Sequence, residues 1–115
     1  MVVVAQAGTK ALTKDFRNTI RDRAQRDAGF RQGLLREGLE LICNGDFATG
    51  RAILRNYINA TVGFPELARM TNISSPSLQR MFGPRGNPRA ENLFGVLVQL
   101  QQQEGVNVEL RVRSH

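Results

Sequence analysis

Phe64-Pro-Glu-Leu-Ala-Arg-Met-Thr-Asn-Ile-Ser-Ser-Pro-Ser-Leu-Gln-Arg-Met-Phe82 is the stretch on which the reading of this 115-residue chain turns. Pro65 suits the first turn of a helix, where its missing N–H has no partner to lose. A short helix over Pro65 to Thr71 then carries Leu67, Ala68 and Met70. Asn72-Ile73-Ser74 form a turn, and Ser74 caps a second short helix over Ser75 to Phe82 with Leu78, Met81 and Phe82 apolar. Two helices meeting steeply across so short a turn need a small residue at the crossing, which Ala68 supplies. They also need an apolar plug after the turn, Ile73, and an anchor into the core, Leu78. The outward positions of the second helix are Ser75, Ser77, Gln79 and Arg80. These hydrogen-bonding side chains are of the kind that reach base edges in a DNA major groove.

Charge distribution points the same way. The net charge is +6 and the pI about 11.0. From Arg69 to Arg89 there are four arginines (Arg69, Arg80, Arg85 and Arg89) and no acid, whereas elsewhere the signs alternate, as in Arg21-Asp22-Arg23. The acid-free stretch is where phosphate contacts are expected.

Working outward, Thr13 is expected to cap a helix to Arg26, with Phe16, Ile20 and Ala24 on its inner face. Ala28 to Asn44 reads as a second helix with Phe30, Leu34, Leu35, Leu39, Ile42 and Cys43 on one apolar stripe, stopped by Asn44-Gly45. Asp46 caps a third, in which Phe47, Ile53, Leu54, Tyr57 and Ile58 face inward. Gly63 ends that helix. After the loop Gly83-Pro-Arg-Gly-Asn-Pro88, a last helix over Arg89 to Gln103 carries Leu93, Phe94, Val96, Leu97 and Leu100. Val106, Val108, Leu110 and Val112 then alternate with polar residues, which predicts a strand. Its partner would be Val2-Val3-Val4, the same strand of a second copy, or a sheet edge of another protein. The chain thus divides into a flexible arm or short strand (1–12), N-terminal helices on the shared core (13–62), a helix-turn-helix region (63–104), and a C-terminal strand and tail (105–115). At this length one domain is expected, given about 100–200 residues for each.

Leu35-Arg-Glu-Gly-Leu39, Gly45-Asp46, Ala52-Ile-Leu-Arg55, Leu67-Ala-Arg-Met-Thr-Asn-Ile-Ser74, Leu78-Gln-Arg-Met81, Gly86-Asn-Pro88 and Leu93-Phe-Gly-Val-Leu97 follow one another in an order and spacing that resembles a known family. It is similar to the addiction-module antidotes, the host-inhibition-of-growth type of antitoxin, over about residues 13 to 112. The resemblance implies an all-α, five- to six-helix lambda-repressor-like helix-turn-helix domain with an N-terminal helical extension and a short C-terminal β-strand. It implies a homodimer on double-stranded operator DNA that neutralises a ribosome-dependent RNase toxin. The DNA-reading positions transfer to Ser75, Ser77, Gln79 and Arg80, and the phosphate or flanking contacts to Arg69, Arg85, Asn87 and Arg89. Asn72 stands where the family usually has Gly, and Asn tolerates the left-handed backbone next best. The longer N-terminal arm is not matched by the resemblance.

Other chemistries find little support. The single histidine, His115, is the last residue, and one Cys without another His makes no ordinary zinc site. Cys43 is expected to be a core thiol. Gly83-Pro-Arg-Gly86 lacks the Gly-Lys-Ser/Thr of a phosphate-binding loop, and a solvated face accounts for Glu37, Glu40 and Asp46. The expectation is therefore no enzyme, cofactor, metal or membrane span, in the cytoplasm, because the apolar opening Met1 to Ala7 is short and lacks a basic start. Two alternatives stay open: a stand-alone phage-type repressor, and a protein-interaction module in which the helix-turn-helix is only scaffold.

Overall fold

In the computed structural model residues 14–109 and 111–114 are described, with the side chains of 14–17 left aside. The arm 1–12 and the Thr13 cap lie outside them. Among the described residues there are six α-helices and no strand. They are α1 (Lys14–Arg26), α2 (Ala28–Cys43), α3 (Phe47–Ala60), α4 (Phe64–Thr71), α5 (Ser75–Met81) and α6 (Ala90–Glu104). None is long and apolar enough to cross a membrane.

Local chemistry sets most of the boundaries. The Asp27 carboxylate accepts from the Phe30 N–H (3.0 Å) to start α2, and Asp46 accepts from Thr49 N–H (3.3 Å) to start α3. Each satisfies one of the donors that a helix start leaves unpaired. Helices α2 and α3 form an antiparallel pair that crosses at Gly38 and Gly50. A Cβ on Gly38 would sit 2.8 Å from the Leu54 side chain, and one on Gly50 would sit 2.6 Å from Ile42 Cγ1 and 2.9 Å from the Gly38 carbonyl oxygen. The helices approach this closely only because neither position carries a side chain. Helix α1 packs across both, and α4 packs on α5 and α6.

One apolar cluster joins the parts: Leu35 from α2, Leu54 and Ile58 from α3, Leu67 from α4, Leu78 from α5, and Val96, Leu97 and Leu100 from α6. Phe64 and Phe82 close the α4–α5 unit with tilted rings, centroids 6.4 Å apart. The cluster is tied by one polar knot. The Arg31 guanidinium donates through Nε to both Glu104 carboxylate oxygens (3.2 and 3.0 Å) and through Nη1 to the Ala24 carbonyl (2.7 Å). Tyr57 Oη donates to the same carboxylate (2.6 Å). The Glu104 side chain is 4% exposed, so these bonds replace the water that its carboxylate gives up on burial.

The structure corrects three expectations, for the terminal strand, Cys43 and Phe47. Residues 106–109 and 111–114 form no strand. The Val106 N–H donates to the Gln101 carbonyl (3.0 Å) and the Val108 N–H to Gln101 Oε1 (2.8 Å), which draws the tail back against the end of α6. No strand edge exists among the described residues to pair with it. Cys43 is exposed, because it is the last residue of α2, where the chain turns away through Asn44-Gly45. Phe47, at the first position of α3, is 55% exposed, and Phe94 is 60% exposed on the outer side of α6. Both belong to apolar patterns wider than the face the neighbouring helices cover.

Candidate nucleic-acid interface

The α4–α5 turn is built from three local devices. Asn72 takes the left-handed conformation (φ 60°, ψ 24°), which a short polar side chain accommodates best after glycine. The Thr71 hydroxyl donates to the Leu67 carbonyl (2.8 Å) and accepts from the Ile73 N–H (3.3 Å). Ser74 Oγ accepts from the Ser77 N–H (3.3 Å) and so starts α5. Ala68 and Ile73 pack partly buried against the core, and Leu78 is fully buried. With its inner side fixed at Leu78 and Met81, α5 presents its remaining residues to the surface.

Ser75 and Ser77 are half-buried there, and Gln79 and Arg80 are exposed. Their polar groups bond locally. Ser77 Oγ accepts from the Ser74 hydroxyl (2.9 Å) and from Arg80 Nη2 (3.1 Å), while Gln79 Nε2 reaches Ser75 Oγ (3.4 Å). These bonds pre-order the side chains without burying them.

Gln79, Arg80 and Arg85 line one shallow, open depression together with Arg55 from α3. No acidic side chain is among its lining residues. The loop after α5 reaches this position by a close approach. A side chain at Gly86 would collide with the Met81 carbonyl, and the Gly86 N–H donates to the Gly83 carbonyl (3.0 Å). Asn87 and Arg89 are exposed on the same loop and at the start of α6, but do not line the depression. Arg69 is exposed on α4 and also lies outside it, in a bidentate pair with Glu66 (Nε to Oε1 3.1 Å, and Nη2 to Oε2). That pairing holds the Glu66 carboxyl below its ordinary range and raises the Arg69 guanidinium above its own. The acid-free run in sequence thus begins beside an acid that engages its first arginine. Arg55 is the member that sequence reasoning missed, because it comes from a helix outside the Phe64–Phe82 stretch.

Among the described residues no cluster of His, Cys, Asp and Glu could hold a metal ion. No protein-family model, curated protein or solved structure matches the chain.

Proposed function

We propose that the chain is a sequence-specific DNA-binding transcriptional regulator with a lambda-repressor-like helix-turn-helix, in which α5 is the recognition helix. The observation that carries this reading is the polar, surface-facing side of α5, from Ser75 to Arg80, whose Gln79 and Arg80 share with Arg85 a depression lined by no carboxylate. Gln79 and Arg80 are positioned as base-edge readers, and Ser75 and Ser77 contribute short donors. Arg85, Asn87 and Arg89 serve the flanking phosphates. Arg69 does so in exchange for its bond to Glu66.

The working form is a homodimer, which places two recognition helices about 34 Å apart in successive major grooves. The outer side of α6 supports this assembly. Phe94 and Val98 lie one turn apart there, 60% and 48% exposed, and a second copy would cover them. On the family resemblance, the protein is the antitoxin of a type II toxin–antitoxin pair, represses its own operon and binds an RNase toxin.

An electrophoretic shift with the DNA upstream of its gene tests the central reading. Retarded duplex is the expected outcome, steeply weakened by salt as phosphate contacts release counterions. No retardation at low salt would overturn it. Co-expression with the flanking gene, followed by co-purification, tests the toxin.

A further inference from the structure

Arg55 belongs to two depressions at once. One is the cationic hollow with Gln79, Arg80 and Arg85. The other lies between α1 and α3 and is lined by Asn18, Arg21, Asn56 and Asn59 around Arg55. They adjoin at the Arg55 side chain, one bordered by the loop after α5 and the other by α1 and α3. No Asp or Glu is among the lining residues of either part. Arg55, Asn18, Arg21 and Asn59 are all exposed, so their donors face water and not the core. The Arg21 guanidinium donates to the Asn59 carbonyl (3.3 Å), which holds its charge against the second depression. Guanidinium and amide N–H groups along lining that carries no carboxylate match a run of phosphate oxygens.

We infer that the two depressions form one phosphate track. The backbone of the duplex read by α5 continues over Arg55 to Asn59 and Arg21, so the DNA footprint includes α1 and α3. The inference rests on the DNA-binding reading above. It assigns Arg55 a positioning role between the reading helix and the flank, because it is the one side chain that lines both parts. Its contribution is independent of base sequence, unlike that of Gln79 or Arg80.

The test compares full-length wild type with Arg55→Ala, Asn59→Asp and the control Arg36→Ala. Arg36 is exposed on α2 and lines neither part. The probes are a labelled mixed-sequence duplex of about three helical turns and a duplex selected from a random library by the wild type. Binding is measured across a salt series. Arg55→Ala is expected to weaken binding to both duplexes by a similar factor, about tenfold. It is also expected to lower the slope of log K against log salt by about 0.9. Asn59→Asp is expected to weaken both further, because it puts a carboxylate among phosphates. Unchanged circular dichroism and Tm in both variants keep the comparison on binding. If wild type binds and both variants match Arg36→Ala, the track is wrong and the helix-turn-helix reading stands. If wild type binds neither duplex, the reading itself fails and takes the track with it.

Discussion

Two polar networks in this molecule use similar chemical groups to opposite ends. At the Arg31–Glu104–Tyr57 knot, bonds join residues 73 and 47 positions apart in sequence around a carboxylate side chain that is 4% exposed. On α5 the bonds span three or four residues, from Ser74 to Ser77, Ser77 to Arg80 and Ser75 to Gln79, and all lie at the surface. The first network cannot release a partner without stranding a buried charge. The second can exchange each bond for one to water or to a ligand at little cost. Polar groups locked in the core hold the helices together. Polar groups that are merely pre-ordered on a rigid support are available for recognition.

The largest effect comes from breaking the locked network. Arg31→Met leaves the Glu104 carboxylate with Tyr57 alone and is expected to cost about 3 kcal/mol of stability. A denaturant midpoint measured by circular dichroism would check it, and a loss under about 1 kcal/mol would mean the knot is not the clamp described. Affinity for duplex, measured while the variant is still folded, is expected to stay unchanged. Tyr57 sharpens the same point and is the only tyrosine in the chain. Burial first, and then its bond to Glu104, raise its phenol above the ordinary value of 10.0. A raised folded value means the stabilisation is complete below about pH 10 and is lost as the pH rises beyond it, because the unfolded chain ionises first. Alkaline titration followed by tyrosine absorbance is therefore expected to show ionisation coinciding with unfolding. Independent ionisation of the folded protein near 10 would contradict the buried hydrogen bond.

The same contrast explains what could be read from the residues beforehand. Helix starts at Asp46 and Ser74 were legible because each depends on neighbours within four positions, the Leu78 anchor because of its place in the motif, and the left-handed Asn72 because the resemblance puts a glycine position there. The knot was not, since nothing local marks Arg31 as the partner of Glu104. The Gly38–Gly50 crossing also escaped, although Gly38 stands within a quoted motif, because close approach depends on what lies opposite. Apolar periodicity overreached at Cys43 and Phe47, where it marks a face without saying how far the neighbouring helix extends. Period two at 106–112 failed for a related reason. A strand is defined by the edge it joins, and what α6 offers the tail is hydrogen bonds to the carbonyl and side chain of Gln101 and an apolar seat for Val106.

On the exchangeable network the effects are smaller and appear in binding. Arg80→Ala removes a charge-assisted contact at a base edge or its phosphate, and is expected to weaken binding to the selected duplex by about 1–3 kcal/mol. Stability is expected to move little, because Arg80 bonds only to Ser77 at the surface. Equal affinity in the variant would remove Arg80 from the interface.

Glu66 gives the smallest shift, and in the opposite direction. Its bond to Arg69 keeps its carboxyl ionised to lower pH than usual, so the pair is intact at neutral pH and is lost only as acid reaches that lowered value. Glu66→Gln frees Arg69 and removes a negative charge beside the interface. Affinity for mixed-sequence duplex is expected to rise by about twofold, with a steeper salt dependence. Weaker binding would mean that Glu66 holds Arg69 in its working position. The pair would then belong with the locked network, and exposure alone would not separate the two kinds of polar group.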